Sequence, residues 1–184
     1  WRDLLRALPP LPTRVAGGDT LLAPAASYGP TGNIENPELY AIFPYRIFGV
    51  QKPGLAMARR TFEKRINTER GGWQQHGVQA AILGLAVEAS REVVDNFSRR
   101  DSLCRFPAFW GPNYDWTPDQ DHGSVAMLAL QQMILQEKDG QAILLPAWPQ
   151  NWNVSFRLHT TDNAVVTGLV VNGKAEYLDV APLE

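Results

Sequence analysis

This chain has one cysteine, Cys104, so it has no internal disulfide framework and no thiolate metal cluster. It has little excess charge of either sign. A net charge of −2 leaves no basic surplus of the kind that tracks nucleic acid or anionic lipid. No apolar run reaches the ~18 residues that a membrane span needs, and no signal peptide is visible. There is no phosphate-binding glycine loop, no H-E-x-x-H and no G-x-S-x-G. The three histidines (His76, His122 and His159) lie on separate segments without ligand spacing, which argues against a metal site. No cofactor is expected.

What remains is 184 residues, 45% of them hydrophobic and 10% aromatic, with six tryptophans. That length supports one domain or slightly more. The chain begins at Trp1 in a helical run, W-R-D-L-L-R-A-L, and reads as a piece of something longer. Pro9 and Pro10 stop that helix. Residues 9–36 are rich in proline and glycine and read as an ordered loop or a set of short strands. Asn36-Pro37-Glu38 opens a short helix over 38–43, with Asn36 as N-cap and Pro37 at the first helical position.

Residues 53–67 form an amphipathic pattern with Leu55, Ala58, Phe62 and Ile66 on one face. Residues 75–98 keep helical phase as one helix, or as two with a break near Val87. A helix over 121–136 is apolar on most faces and is expected to be buried. After Asp139-Gly140 the period changes to two. Residues 142–145, 154–160, 164–171 and 175–180 read as strands, with a hairpin turn at Asn172-Gly173. The fold class is therefore α then β.

The densest chemistry lies at 106–123. Trp110, Tyr114 and Trp116 alternate there with Asp115, Asp119 and Asp121, followed by His122-Gly123. Flat rings stack on the apolar face of a pyranose, and carboxylates accept its hydroxyls or act as acid and base. Asp121 reads equally well as a helix cap. A second group is Asn33, Glu35 and Glu38, although Glu38 beside a helix N-terminus also reads as a surface residue favoured by the dipole. Trp73, Gln74 and His76 stand before a helix, where they either point into a cleft or staple its start.

Four motifs carry a resemblance. They are N-P-E-L-Y-A-I-F-P-Y-R-I-F-G-V at 36–50; A-R-R-T-F-E-K-R with G-G-W-Q-Q-H within 58–76; P-D-Q-D-H-G-S-V-A-M-L-A-L-Q-Q-M-I-L-Q at 118–136; and D-G-Q-A-I-L-L-P-A-W-P-Q-N-W at 139–152. In order and spacing they resemble the C-terminal part of the (α/α)6-toroid glycoside hydrolases, most closely glycoside hydrolase family 95, the α-L-fucosidases and relatives. The resemblance implies toroid helices over 1–138 and a sandwich-like antiparallel β domain over 139–184. It implies inverting hydrolysis of an α-linked sugar such as fucose or galactose, with Asp119 as general base. It places Trp110, Tyr114, Asp115, Trp116, Trp73, His76, Glu35 and His122 around the substrate, with Trp73 and His76 on the rim. The family's general acid has no matching segment here. Two stretches depart from the pattern: Asn33-Ile34-Glu35-Asn36 replaces a histidine-rich run, and Gln120-Asp121-His122-Gly123 replaces G-N-F-G.

The implied partners are a carbohydrate and a preceding part of the same protein, with neither nucleic acid nor a membrane span. The implied location is extracellular or periplasmic. Only four or five of the twelve toroid helices lie in this chain, so apolar faces such as Leu55, Phe62 and Ile66 are expected to lie partly bare. The alternative reading is a non-catalytic carbohydrate-binding or structural segment.

Overall fold

The computed structural model describes residues 1–30, 32–70, 74–98 and 121–182. Helices come first and antiparallel strands dominate the C-terminal part. α1 (Arg2–Ala7) stops at Leu8, whose extended backbone leads into Pro9-Pro10. The region read as loop or short strands contains a hairpin: β1 (Thr13–Ala16) pairs with β2 (Asp19–Leu22) around Gly17-Gly18.

The helix expected over 38–43 is instead a 3₁₀ helix at Pro37–Ala41. The interval between Pro37 and Pro44 is too short to nucleate an α-helix well. Pro44 also brings no N–H to continue one, and the Tyr40 carbonyl accepts from Tyr45 N instead, at 3.1 Å. Asn36 does not cap this helix through its side chain.

α2 (Leu55–Glu63) is shorter than the 53–67 pattern. Arg65 folds back over the helix end, its Nη1 donating to the Phe62 carbonyl at 2.8 Å. Ala58 and Phe62 enter the core, whereas Ile66 lies beyond the helix end and is 72% exposed. The 75–98 stretch is two helices, α3 (His76–Ile82) and α4 (Ala86–Ser98). The break falls at Gly84, whose φ of +70° suits glycine. A side chain there would also meet Val50 Cγ1 at 2.7 Å.

α5 (Asp121–Ile134) ends two residues before its expected limit. Residues 135–136 belong to β3 (Leu135–Lys138), which pairs with β4 (Gln141–Leu144) around Asp139-Gly140. The returning chain ends the helix. Leu145 N donates to the Ile134 carbonyl at 2.7 Å and Ala147 N to that of Met133 at 3.3 Å, satisfying carbonyls a helix end leaves free. The 138/139 boundary therefore falls inside a hairpin turn.

β5 (Val154–His159), β6 (Ala164–Val171) and β7 (Lys174–Pro182) form an antiparallel meander. Its second turn is Asn172-Gly173, with φ of +51° and +75°, as the dipeptide predicts. The main core gathers Leu22, Leu39, Ile42, Phe62, Val78, Leu83 and Met133 between α2, α3 and α5. A second core lies against the meander at Ile134, Leu135, Phe156, Val166 and Val170, and Trp148 packs against both. Among the described residues, no helix is long and apolar enough to cross a membrane.

Candidate functional site

A narrow cleft of about 20 Å³, room for roughly one water-sized group, lies between the 33–36 segment and the start of α3. Two of the expected site residues, Glu35 and His76, line it together. They come from segments some forty residues apart, and a side chain outside the expected set joins them. Asn36 Nδ2 donates to the Asn67 carbonyl at 2.9 Å, and Asn36 Oδ1 accepts from Asn67 N at 3.1 Å. Those two bonds fix which end of the amide is which. The remaining N–H of Nδ2 points at His76 Nε2, 2.9 Å away.

The geometry sets the histidine's chemistry. Since Nε2 accepts from Asn36, the proton of the neutral ring sits on Nδ1. The ring is 3% exposed, with Phe62 edge-on at 6.4 Å. Burial, then the nearby Arg65 charge, lowers its pKa to about 4. The Glu69 carbonyl favours a proton there, but it completes no hydrogen bond of ordinary geometry to Nδ1. His76 is thus a neutral, buried lining residue, not the rim residue expected.

Apart from Glu35 and the apolar Ile34, the rest of the lining is polar and uncharged. Gln74, Gln75 and Gln79 each hold a buried Oε1 with no hydrogen-bond partner, as does Nδ1 of His76. Buried polar groups are normally paired. Gln79 is 2% exposed, although it sits on a helix whose other side chains are largely apolar. Tyr40 completes the lining. Its phenol pKa is raised by burial and then by its hydrogen bond to Glu35.

A cleft of this size and lining takes one hydroxyl group, projecting from a ligand that lies outside it. A hydroxyl both donates and accepts, so it satisfies a carboxamide turned either way. An anionic ligand would instead meet acceptor oxygens and the Glu35 carboxylate with no cation among the lining residues.

Glu38 is not the surface residue its helix position suggested. It is 7% exposed, and burial raises its carboxyl above the usual range. Trp73, Trp110, Tyr114, Asp115, Trp116 and Asp119 lie outside the described residues. His122 falls in the first turn of α5, and its side chain, like that of Asp121, lies outside the description. The sequence reading missed Asn36 and Asn67 as site-builders, and Gln79 and Tyr40 as lining. The available signal was Gln79, a carboxamide on an otherwise apolar helical stretch.

Against known proteins, no family model matches the chain, and no curated protein matches it. The family resemblance rests on the quoted motifs alone.

Proposed function

We propose that this chain is the C-terminal part of a glycoside hydrolase that cleaves an α-linked neutral sugar, such as fucose or galactose, with inversion. The observation that carries the reading is the small cleft where Glu35 and His76 meet among unpartnered carboxamides, a lining suited to a single projecting hydroxyl of a sugar. The ordered motifs at 36–50, 58–76, 118–136 and 139–152 support the same assignment.

In this reading Asp119 is the general base that activates water. Its partner acid comes from a preceding part of the protein, about 6.5–9.5 Å away across the scissile bond. Asp119 stands two residues before α5, where the helix N-terminus favours an ionised carboxylate. Trp110, Tyr114 and Trp116 stack on sugar faces, and Trp73, Asp115 and His122 complete the substrate contacts. Residues 1–138 belong to an (α/α)6 toroid, and the strands that follow belong to a sandwich-like accessory domain. Exposed apolar residues on the helices support neighbours of that kind: Val87, Val94, Phe97 and Met127 are all uncovered. So do Leu178 and Val180 on β7. The protein works outside the cytoplasm, in the periplasm or beyond the cell.

The alternative is a non-catalytic carbohydrate-binding segment. It is favoured by the single carboxylate, Glu35, among the described lining residues of the cleft. One variant separates the two readings. In the intact protein, Asp119→Asn is expected to keep sugar binding and lose ~10²–10⁴-fold in turnover, the usual effect of removing a general base. Saturation-transfer NMR with L-fucose and D-galactose, run beside hydrolysis assays, reads both. Binding without turnover in the wild type would favour the alternative, and unchanged turnover in the variant would remove Asp119 from the mechanism.

A further inference from the structure

The cleft wall at 33–36 is tied to the 64–70 segment through Asn67. Asn67 holds it at four points. Its backbone N and O clamp the Asn36 amide, while its Nδ2 donates to the Glu35 carbonyl at 2.8 Å and to that of Asn33 at 3.4 Å. Three residues on, Arg70 ties the same segment to α4. Its Nη1 donates to Asp95 Oδ2 at 3.0 Å, and its Nε lies 3.6 Å from Glu92 Oε1.

Glu92 cannot drift to suit the arginine. It is 2% exposed, and α3 approaches α4 so closely at Gly77 that a β-carbon there would lie 3.2 Å from both Glu92 Cβ and Ala129 Cβ. The Glu92 β-carbon is therefore fixed where the helices meet, while its buried Oε1 makes no hydrogen bond and faces Arg70 as an ion pair only. Asn96, one turn further along α4, is also buried, with Oδ1 unpartnered.

We infer that residues 64–70 are a positioning strap for the cleft, moored to α4 through Arg70 on Glu92 and Asp95, and that Glu92 is a positioning residue acting on Glu35 and His76 through Arg70, Asn67 and Asn36. Glu92 touches neither the cleft nor anything bound in it. It determines where the Asn36 amide sits, and so which nitrogen of His76 carries the proton. The role rests on the proposed sugar reading only for its consequence; the mooring itself is independent of any ligand.

A pH dependence follows. Burial raises the Glu92 carboxyl to about 7, against the opposing pull of Arg70, then Arg65 and Arg91, with Asp95 adding to the rise. The residues of α3 and α5 packed against it at the close approach, Gly77 and Ala129, carry no charge. Above pH 7 the carboxylate holds Arg70; below it, the protonated acid holds less.

The test is the double variant Glu92→Gln/Asp95→Asn in the intact protein, with Glu92→Gln alone as the milder second case. Both keep side-chain shape. Hydrogen exchange of the Asn67 amide and the ¹⁵N signature of the His76 ring need no sugar. Exchange is expected to speed up by at least ~10-fold in the double variant as the strap opens locally. The Nδ1-protonated form of His76 is expected to lose its dominance. The wild type is expected to show Asn67 protection weakening as pH falls through 7, and Glu92→Gln to show none of that dependence. Wild-type protection and an unchanged His76 signature in the double variant would overturn the proposal. If both change but the wild type binds no neutral sugar, the strap stands and the sugar reading falls.

Discussion

The meander β5–β7 and the cleft wall at 33–36 are built by opposite means. In the meander nearly every residue meets a partner through backbone pairing, Glu176 at a register shift excepted, and two short turns join the strands. In the wall, one asparagine amide is held by a segment 31 residues away and holds a ring 40 residues away. The first structure is redundant: losing one side chain leaves the ladder intact. The second is singular, because each bond has no substitute. A surface built the second way is costly to keep, which is reason to expect that its shape is used.

The contrast can be broken at graded points. The largest effect is expected from Asn36→Leu. It fills similar space but strands His76 Nε2 and the Asn67 N–H and carbonyl, three groups at about 1 kcal/mol or more each. A loss of about 3 kcal/mol is expected in urea unfolding, together with loss of any neutral-sugar binding. A loss below about 1 kcal/mol would show that the wall is as redundant as the sheet.

Gly173→Ala is expected to cost about 1–2 kcal/mol, since an L side chain at φ of +75° is strained. Its β-carbon would also sit 3.0 Å from the Gln150 carbonyl oxygen. Thermal unfolding reads this as a fall of about 2–8 °C for a chain of this size. The smallest effect is expected from Tyr177→Thr on the exposed β7, within about 0.5 kcal/mol of wild type by the same measurement. A larger cost there would mean that β7 is covered in solution.

The two regions were also unequally legible. Alternating residues around Asn172-Gly173 disclosed β6 and β7, because strand period and turn chemistry are written in neighbouring residues. The α2 pattern identified a helix but overran it, since Arg65 closes the helix by a contact that periodicity does not encode. β3 was hidden because Leu135 continues the apolar phase of α5. Only pairing with β4, and Gln136 Nε2 donating to the Ala81 carbonyl at 2.7 Å, marks the change. In the cleft, the polar group at 33–38 and the segment before α3 pointed to Glu35 and His76. Neither could reveal Asn36 as their link, because that amide reads as a local helix cap until its distant partners are in place. Asp119 and the aromatic run around it lie outside the described residues, so that part of the expected site stands as proposal.

The burial of His76 and Glu92 also amounts to an exchange of a proton on folding. Near pH 5.5 the unfolded chain carries a cationic imidazole and an anionic carboxylate; the folded chain carries neither, because the imidazole falls to about 4 and the carboxyl rises to about 7. Between about pH 4.5 and 6.5 the two effects on stability have opposite signs. The lowered histidine makes stability fall as pH drops through that window, and the raised carboxyl makes it fall as pH climbs, each on the order of 3 kcal/mol in full. The number of bound protons is the same in both states, so this pair contributes a flat stability profile across that window. Replacing either partner unmasks the other. Glu92→Gln is expected to leave a protein that weakens toward acid, and His76→Gln one that weakens toward neutrality, a reversal of slope that denaturant titrations at pH 5 and 6.5 measure directly. The folded interior thereby acts as an internal acid–base couple whose net exchange with the solvent is zero.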